Sequence, residues 1–199
     1  AVSALKGQIR RLIGKGWPTG AYRKLKTADA RQLLDLVEVA IARAEIAHGY
    51  FVFGKDTLAL ELAENSMAES PAAIPVAAWT GGLAAWRLGL IDRAGGHFEV
   101  LAAWLEAGPA ARAAGAFWAS RAHLAVRRPS EATKWLAQAA TVPGTFYGLL
   151  ARRALGVDML LDWSLPRLNK KNIDELLTIP GMRRGFALLQ LGMKSQAAW

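Results

Sequence analysis

From residue 31 onward the apolar positions recur at steps of three and four. Leu33, Leu36, Val37, Ala40, Ala44 and Ala47 fall on one face when wound at 3.6 residues per turn, which predicts a helix over about 30–53. A second stripe, Val76, Trp79, Leu83, Trp86 and Leu90, follows the breaks at Pro71 and Pro75. No stretch alternates as a strand over more than a few residues. Before residue 30, Gly7, Gly14, Gly16, Pro18 and Gly20 restrict any helix to a short piece such as Leu5 to Ile13. Residues 1–29 are therefore expected to form a partly irregular N-terminal segment, and residues 30–199 a helical domain.

Within that domain the pattern repeats. Gly54 is followed by Ala59 and Ala63, Gly89 by Ala94 and Phe98, and Arg127 by Ala132 and Leu136, at the same offsets each time. The anchors Gly54, Gly89 and Arg127 lie 35 and then 38 residues apart, near the period of tetratricopeptide-type helical hairpins. Asp56, Asp92 and Ser130 follow them as expected helix caps, and Gly192 with Ser195 and Ala197 begins a further unit. Such a hairpin buries its apolar face only against its neighbours. The expected fold class is all-α, a right-handed superhelical solenoid of tetratricopeptide-like helical hairpins with one concave surface. The Trp and Pro positions of the tetratricopeptide consensus are not reproduced, so the units are divergent.

The net charge of +9 is regional. Residues 1–26 hold seven basic side chains and no acidic one; residues 27–109 hold five basic against eleven acidic; residues 110–155 hold seven basic against one acidic. Alternating zones argue against a uniformly basic nucleic-acid groove, and nucleic acid is not an expected partner. No apolar run is long enough to span a membrane before a charge interrupts it. The absence of cysteine excludes disulfides, thiolate zinc sites and a Cys nucleophile. The chain opens at Ala1 with no charged-then-apolar leader, the appearance of a processed protein or an excised piece.

Candidate chemistry is sparse. Gly49 to Thr57 has nearly the spacing of a phosphate-binding loop, but four bulky apolar residues fill it and Asp56 would repel phosphate, so a helix ending at Gly54 is the better reading. His48, His97 and His123 have no metal-ligand spacing, and no Ser, His and Asp grouping stands out, so no metal, cofactor or catalytic residue is expected. Trp79 and Trp86, seven residues apart with Leu83 between them, have core spacing, and Trp118 and Trp135 are expected to pack as well, which leaves Trp17 and Trp163 as the loop tryptophans open to a ligand. Asn172 and Glu175 read as a cap for a short helix at Ile173 to Leu177.

Three segments together resemble soluble lytic transglycosylases. They are the helix Pro75 to Gly89, with Trp79, Gly82 and Trp86-Arg87, followed by His97-Phe98; the segment Ala116-Phe-Trp-Ala-Ser-Arg-Ala122; and Thr145-Phe-Tyr-Gly-Leu-Leu-Ala-Arg152, the most specific of the three. The resemblance covers roughly residues 30–198. It implies a periplasmic protein whose superhelical, non-catalytic domain positions peptidoglycan glycan strands for a lysozyme-like lyase domain that this chain lacks. Glu69-Ser70 is not followed by that family's Gly-Leu-Met-Gln segment, so Glu69 is not taken as its acid/base. Stem-peptide carboxylates would meet arginines: among Arg112, Arg121, Arg127, Arg128, Arg152 and Arg153, the expected glycan contacts are Arg121, Arg128 and Arg152. Arg121 and Arg128, seven residues apart, share a face if their helix continues that far. Phe146 and Tyr147 are expected to be structural, with Gly148 permitting close approach. The alternative reading is a tetratricopeptide-like adaptor that binds a partner protein.

Overall fold

A computed structural model describes residues 1–157 and 169–197. Every regular element among them is helical. The chain divides into two compact units, Ala1–Met159 and Leu160–Trp199.

The first unit comprises α1 (Val2–Gly14), α2 (Pro18–Leu25), α3 (Ala28–Leu33), α4 (Leu36–Val52), α5 (Asp56–Glu69), α6 (Ile74–Arg87), α7 (Ile91–Ala103), α8 (Pro109–Ala125), α9 (Pro129–Ala140) and α10 (Phe146–Ala154). From α4 onward each helix packs on the next, and α4 also approaches α6, as α8 approaches α10. The anchors found in the sequence are the turns of this stack. Gly54, Gly89 and Arg127 have φ of 73°, 75° and 59°. At each, the following N–H reaches back to a carbonyl five residues earlier: Lys55 to Tyr50 at 2.9 Å, Leu90 to Ala85 at 2.9 Å and Arg128 to His123 at 2.8 Å. This is the Schellman closure, which needs one left-handed residue and satisfies carbonyls left over at a helix end. Gly16 and Gly156 make the same closure at two places the repeat search missed.

Asp56, Asp92 and Ser130 do not cap. The turn runs straight into the next helix, so Lys55, Leu90 and Arg128 occupy the cap positions and the three polar residues fall in the first turn. Asp56 and Asp92 instead bridge to arginines beside the next turn, Arg87 and Arg128. The helix expected over 30–53 is interrupted. Leu34 is extended, and Asp35 starts α4 by accepting from Glu38 N–H at 2.7 Å while the Glu38 carboxylate accepts from Asp35 N–H. That capping box outweighs the continuous apolar stripe, whose first members are exposed, Leu36 by 79%.

Residues 1–29 are mostly helical, with short breaks at 15–17 and 26–27. They form α1 and α2 and enter α3, and Leu5, Ile9, Ala21, Leu25 and Ala30 are buried in the same core as α4 to α7. The five early residues read as breakers are accommodated: Pro18 opens α2, Gly16 turns the chain and Gly20 lies beneath the Trp17 ring.

Small residues face small residues along the core. Ala77, Gly81, Gly82, Ala84 and Ala85 are the buried side of α6; of the stripe Val76, Trp79, Leu83, Trp86 and Leu90, the middle three pack partly buried against the core, while Val76 and Leu90, the latter past the end of α6, are exposed. Trp86 and Trp79 of α6 meet Trp118 of α8 edge-on at 5.4 and 6.5 Å between ring centroids. Phe98 of α7 completes the cluster at 5.7 Å from Trp118. Trp135 also packs against the core, so the expected packing role of these four tryptophans holds.

The second unit contains α11 (Lys170–Leu177), α12 (Pro180–Gln190) and α13 (Lys194–Ala197). Asn169, not Asn172, caps α11, accepting from Asn172 N–H at 2.8 Å. Gly192, φ 76°, makes the same closure seen in the first unit. Trp163 lies outside the described residues.

Candidate functional site

The three segments of the family resemblance lie on α6, α8 and α10, and their side chains touch. Trp118 Nε1 donates to the Tyr147 hydroxyl at 3.3 Å, and the Tyr147 ring lies 6.3 Å from Trp79 and 5.4 Å from Phe117. Thr145 caps α10 by accepting from Gly148 N–H at 3.1 Å. A Cβ on Gly148 would stand 1.9 Å from the Val142 carbonyl oxygen, so only glycine fits this helix start. Tyr147 and Gly148 thus have the structural roles expected of them. Phe146 does not: it is 68% exposed and rests edge-on against Tyr147. Two adjacent residues at a helix start point about 100° apart, and only one of the two rings can turn inward.

The expected glycan contacts are distributed over three settings. Arg121 is exposed on α8, its guanidinium 5.8 Å from the Trp118 ring centre. Arg128 is not on α8, which ends at Ala125; the left-handed Arg127 redirects the chain, and Arg128 pairs with Asp92 at 2.8 Å. The shared face that seven-residue spacing would give Arg121 and Arg128 is therefore not formed by one helix. Arg152 is half-buried on α10, with Arg153 exposed beside it. Arg112 donates to the Ala102 carbonyl at 3.3 Å, tying α8 to α7.

A groove of about 470 Å³ lies among α4, α6, α7 and α8, lined by His48, Pro75, Val76, Trp79, Leu101, Ala111 and Ala114. Its lining is apolar except for His48, whose Nδ1 lies 3.2 Å from the Thr80 hydroxyl. Such a surface accepts an apolar side chain or a ring face.

The charged clusters of the first unit are interhelical ties. Glu64 of α5 holds Arg93 through two oxygens and receives His97 Nε2 at 3.0 Å. Burial pushes the His97 imidazole below its ordinary range, while Glu64 acts in the opposite direction. His123 Nε2 lies 2.5 Å from Glu99. Glu69 is bound to Arg43. In the segment Gly49 to Thr57, Gly49 is inside α4 and Asp56 is paired with Arg87, so no phosphate cradle exists there. Among the described residues no group of three or more His, Cys, Asp or Glu could hold a metal ion, and no helix is long and apolar enough to cross a membrane.

Sequence reasoning missed the groove and the Glu64 cluster. Their members lie 32 residues apart for His48 and Thr80, and 33 for Glu64 and His97, so their one signal was the hairpin period itself. Compared with known proteins, the chain matches no family model, no curated protein and no solved structure.

Proposed function

We propose that this chain is the superhelical, non-catalytic domain of a periplasmic lytic transglycosylase, a stack of tetratricopeptide-like hairpins that positions peptidoglycan glycan strands for a lysozyme-like lyase domain. The observation that carries the reading is the junction of Trp79, Trp86, Trp118 and Tyr147. These rings come from three separate family-like segments, on α6, α8 and α10, and form one contact network. Separate accidental likenesses have no reason to meet in space.

In this role Arg121, Arg128 and Arg152 attract the carboxylates of stem peptides. Arg121 lies against a ring, which favours a guanidinium held flat, and the basic stretch 110–155 supplies the surrounding field. The test is retention of the protein on isolated sacculi, with Arg121, Arg128 and Arg152 changed together to Ser, at low and at physiological salt. Loss of retention at both salts is expected. Retention that survives both refutes these arginines as the capture site. The chain alone is also expected to release no anhydro-muropeptides, and release would overturn the assignment as non-catalytic.

The apolar groove at Val76 and Trp79 favours a second reading, an adaptor for a partner protein, because glycan offers little that would fill a lining with one polar group. Val76→Asp separates the two readings: it leaves sacculus retention intact if glycan binds through the arginines.

A further inference from the structure

The basic N-terminal helices use their charges in two ways. Lys6 and Arg10 of α1 turn toward α4 and are neutralised there, by Glu38 at 2.7 Å and Glu45 at 2.6 Å. Another side of the helix carries Gln8, Arg11, Leu12 and Lys15, which with Lys24 of α2 line a hollow of about 400 Å³. No acidic residue occurs in residues 1–26, and none lines the hollow. Among the described residues Arg11, Lys15 and Lys24 form no ion pair; Arg11 Nε donates only to the Gly7 carbonyl of its own helix, at 3.3 Å. Three cations thus converge on one concavity without a counter-charge, an arrangement whose self-repulsion a bound anion relieves.

Exposed apolar residues adjoin Lys15 of this hollow. Immediately after Lys15, Gly16 meets the Phe53 ring, to which a Cβ at that glycine would approach within 3.3 Å. Trp17 follows in the chain and is 54% exposed; Phe53 is exposed by 46% and its neighbour Val52 by 59%. Unpaired cations next to two exposed rings and an exposed valine are the elements of a surface that meets lipid headgroups, where ammonium and guanidinium groups hold phosphate oxygens and aromatic rings occupy the interfacial layer. A dissolved phosphate would be served by the cations alone and gives Trp17, Phe53 and Val52 no task. A nucleic-acid strand would stack on the rings but gain nothing from Val52.

We propose that the α1–α2 hairpin, with the end of α4, docks on an anionic phospholipid surface, a headgroup phosphate entering the hollow between Arg11, Lys15 and Lys24 while Trp17 and Phe53 enter the interfacial layer. This is a property separate from glycan binding and does not depend on it. Attachment of this kind is peripheral and reversible, since it rests on screened charges and a few side chains rather than on a spanning helix.

The test is co-sedimentation of the full chain with vesicles of phosphatidylcholine alone and of phosphatidylcholine mixed with phosphatidylglycerol. Three variants are compared: R11S/K15S/K24S, W17S/F53S, and the charge-matched R127S/K134S/R153S, whose members are all exposed. The unaltered chain should sediment with the mixed vesicles and not with the neutral ones. R11S/K15S/K24S should partition on the order of a hundred-fold more weakly, W17S/F53S should lose the binding that persists at high salt, and R127S/K134S/R153S should behave as the unaltered chain. Circular dichroism checks folding, and Lys15→Ser alone, at an exposed helix end, gives a partial loss where the triple change proves disruptive. No sedimentation with anionic vesicles overturns the proposal. Equal losses in the two triple variants also overturn it, as they reflect diffuse charge attraction. Displacement by millimolar inorganic phosphate would assign the hollow to a soluble anion, and binding of single-stranded DNA in place of vesicles would assign it to nucleic acid.

Discussion

Gly115 offers the most direct test of how the first unit is packed. It lies inside α8 where that helix crosses α7, and a Cβ there would stand 2.7 Å from the Ala102 nitrogen, 2.8 Å from the Phe98 carbonyl oxygen and 3.1 Å from the Leu101 Cβ. Two of these are backbone atoms and cannot rotate away. Relaxed contacts begin near about 3.5 Å, so an alanine forces the two helices roughly 0.7 Å apart at the crossing. A displacement of that size forfeits about a quarter to a half of each neighbouring contact, and overpacking of this kind costs about 1–3 kcal/mol. Alanine is also the better helix former by about 0.8–1 kcal/mol, which masks part of the loss. Gly96 supplies the reference: it lies in α7, is exposed, and a Cβ there meets nothing within 4 Å. Gly96→Ala should raise the unfolding free energy by about 0.5–1 kcal/mol. Gly115→Ala should fall below that variant by about 1–3 kcal/mol, read from urea denaturation followed by circular dichroism. Equal stabilisation by the two changes would refute backbone contact between α7 and α8 at this point.

Three further outcomes are expected. Arg127→Gly should stabilise by about 0.5–1 kcal/mol, because a left-handed L-residue costs about 1–2 kcal/mol and glycine's own entropy loss offsets part of the relief; an unchanged denaturation midpoint would contradict it. Phe146→Ala should cost under about 1 kcal/mol because the ring is exposed, whereas Tyr147→Ala, which removes a packed ring and the partner of Trp118 Nε1, should cost about 3 kcal/mol or more in the same assay. His97 is held below its ordinary pKa by burial, so the unfolded chain takes up this proton first; the stability tied to neutral His97 is complete above about pH 6.5 and declines as pH falls below it. His97→Asn should therefore flatten the acid side of a stability–pH profile by at most about 1.4 kcal/mol per pH unit, and an unaltered slope would exclude His97 as its source.

The turns were legible in the sequence because their requirement is local. A left-handed residue is needed at each closure, glycine meets that need, and its recurrence marked Gly54, Gly89 and Gly192. Even Arg127 was found, through Ala132 and Leu136 at the offsets that recur after the glycines. The helix break at Leu34–Asp35 was hidden because the apolar period continues across it, while the capping box of Asp35 and Glu38 decided the outcome. The packed roles of Trp79 and Trp86 followed from their seven-residue spacing, and Trp118 and Trp135 pack as expected too. The setting of Arg128 did not, since one residue of left-handed backbone removes it from the helical register that spacing assumes. The groove at His48 and Trp79 has no local signature at all: its lining comes from four helices that only the packing brings together.

The repeated closure also bears on how the chain folds. The ion pairs that tie one helix to another join residues as near as Glu99 and His123, 24 positions apart, and as far as Asp92 and Arg128, 36 apart, so each bond spans about one hairpin. Among the described residues, none of these ion pairs joins distant ends of the chain. Low contact order of this type favours fast folding, and it permits the structure to open piecewise. Hydrogen exchange should then report a gradient, with amides of α10 opening more often than those of α6, whose Ala77, Ala84 and Ala85 are sealed between neighbours on both sides.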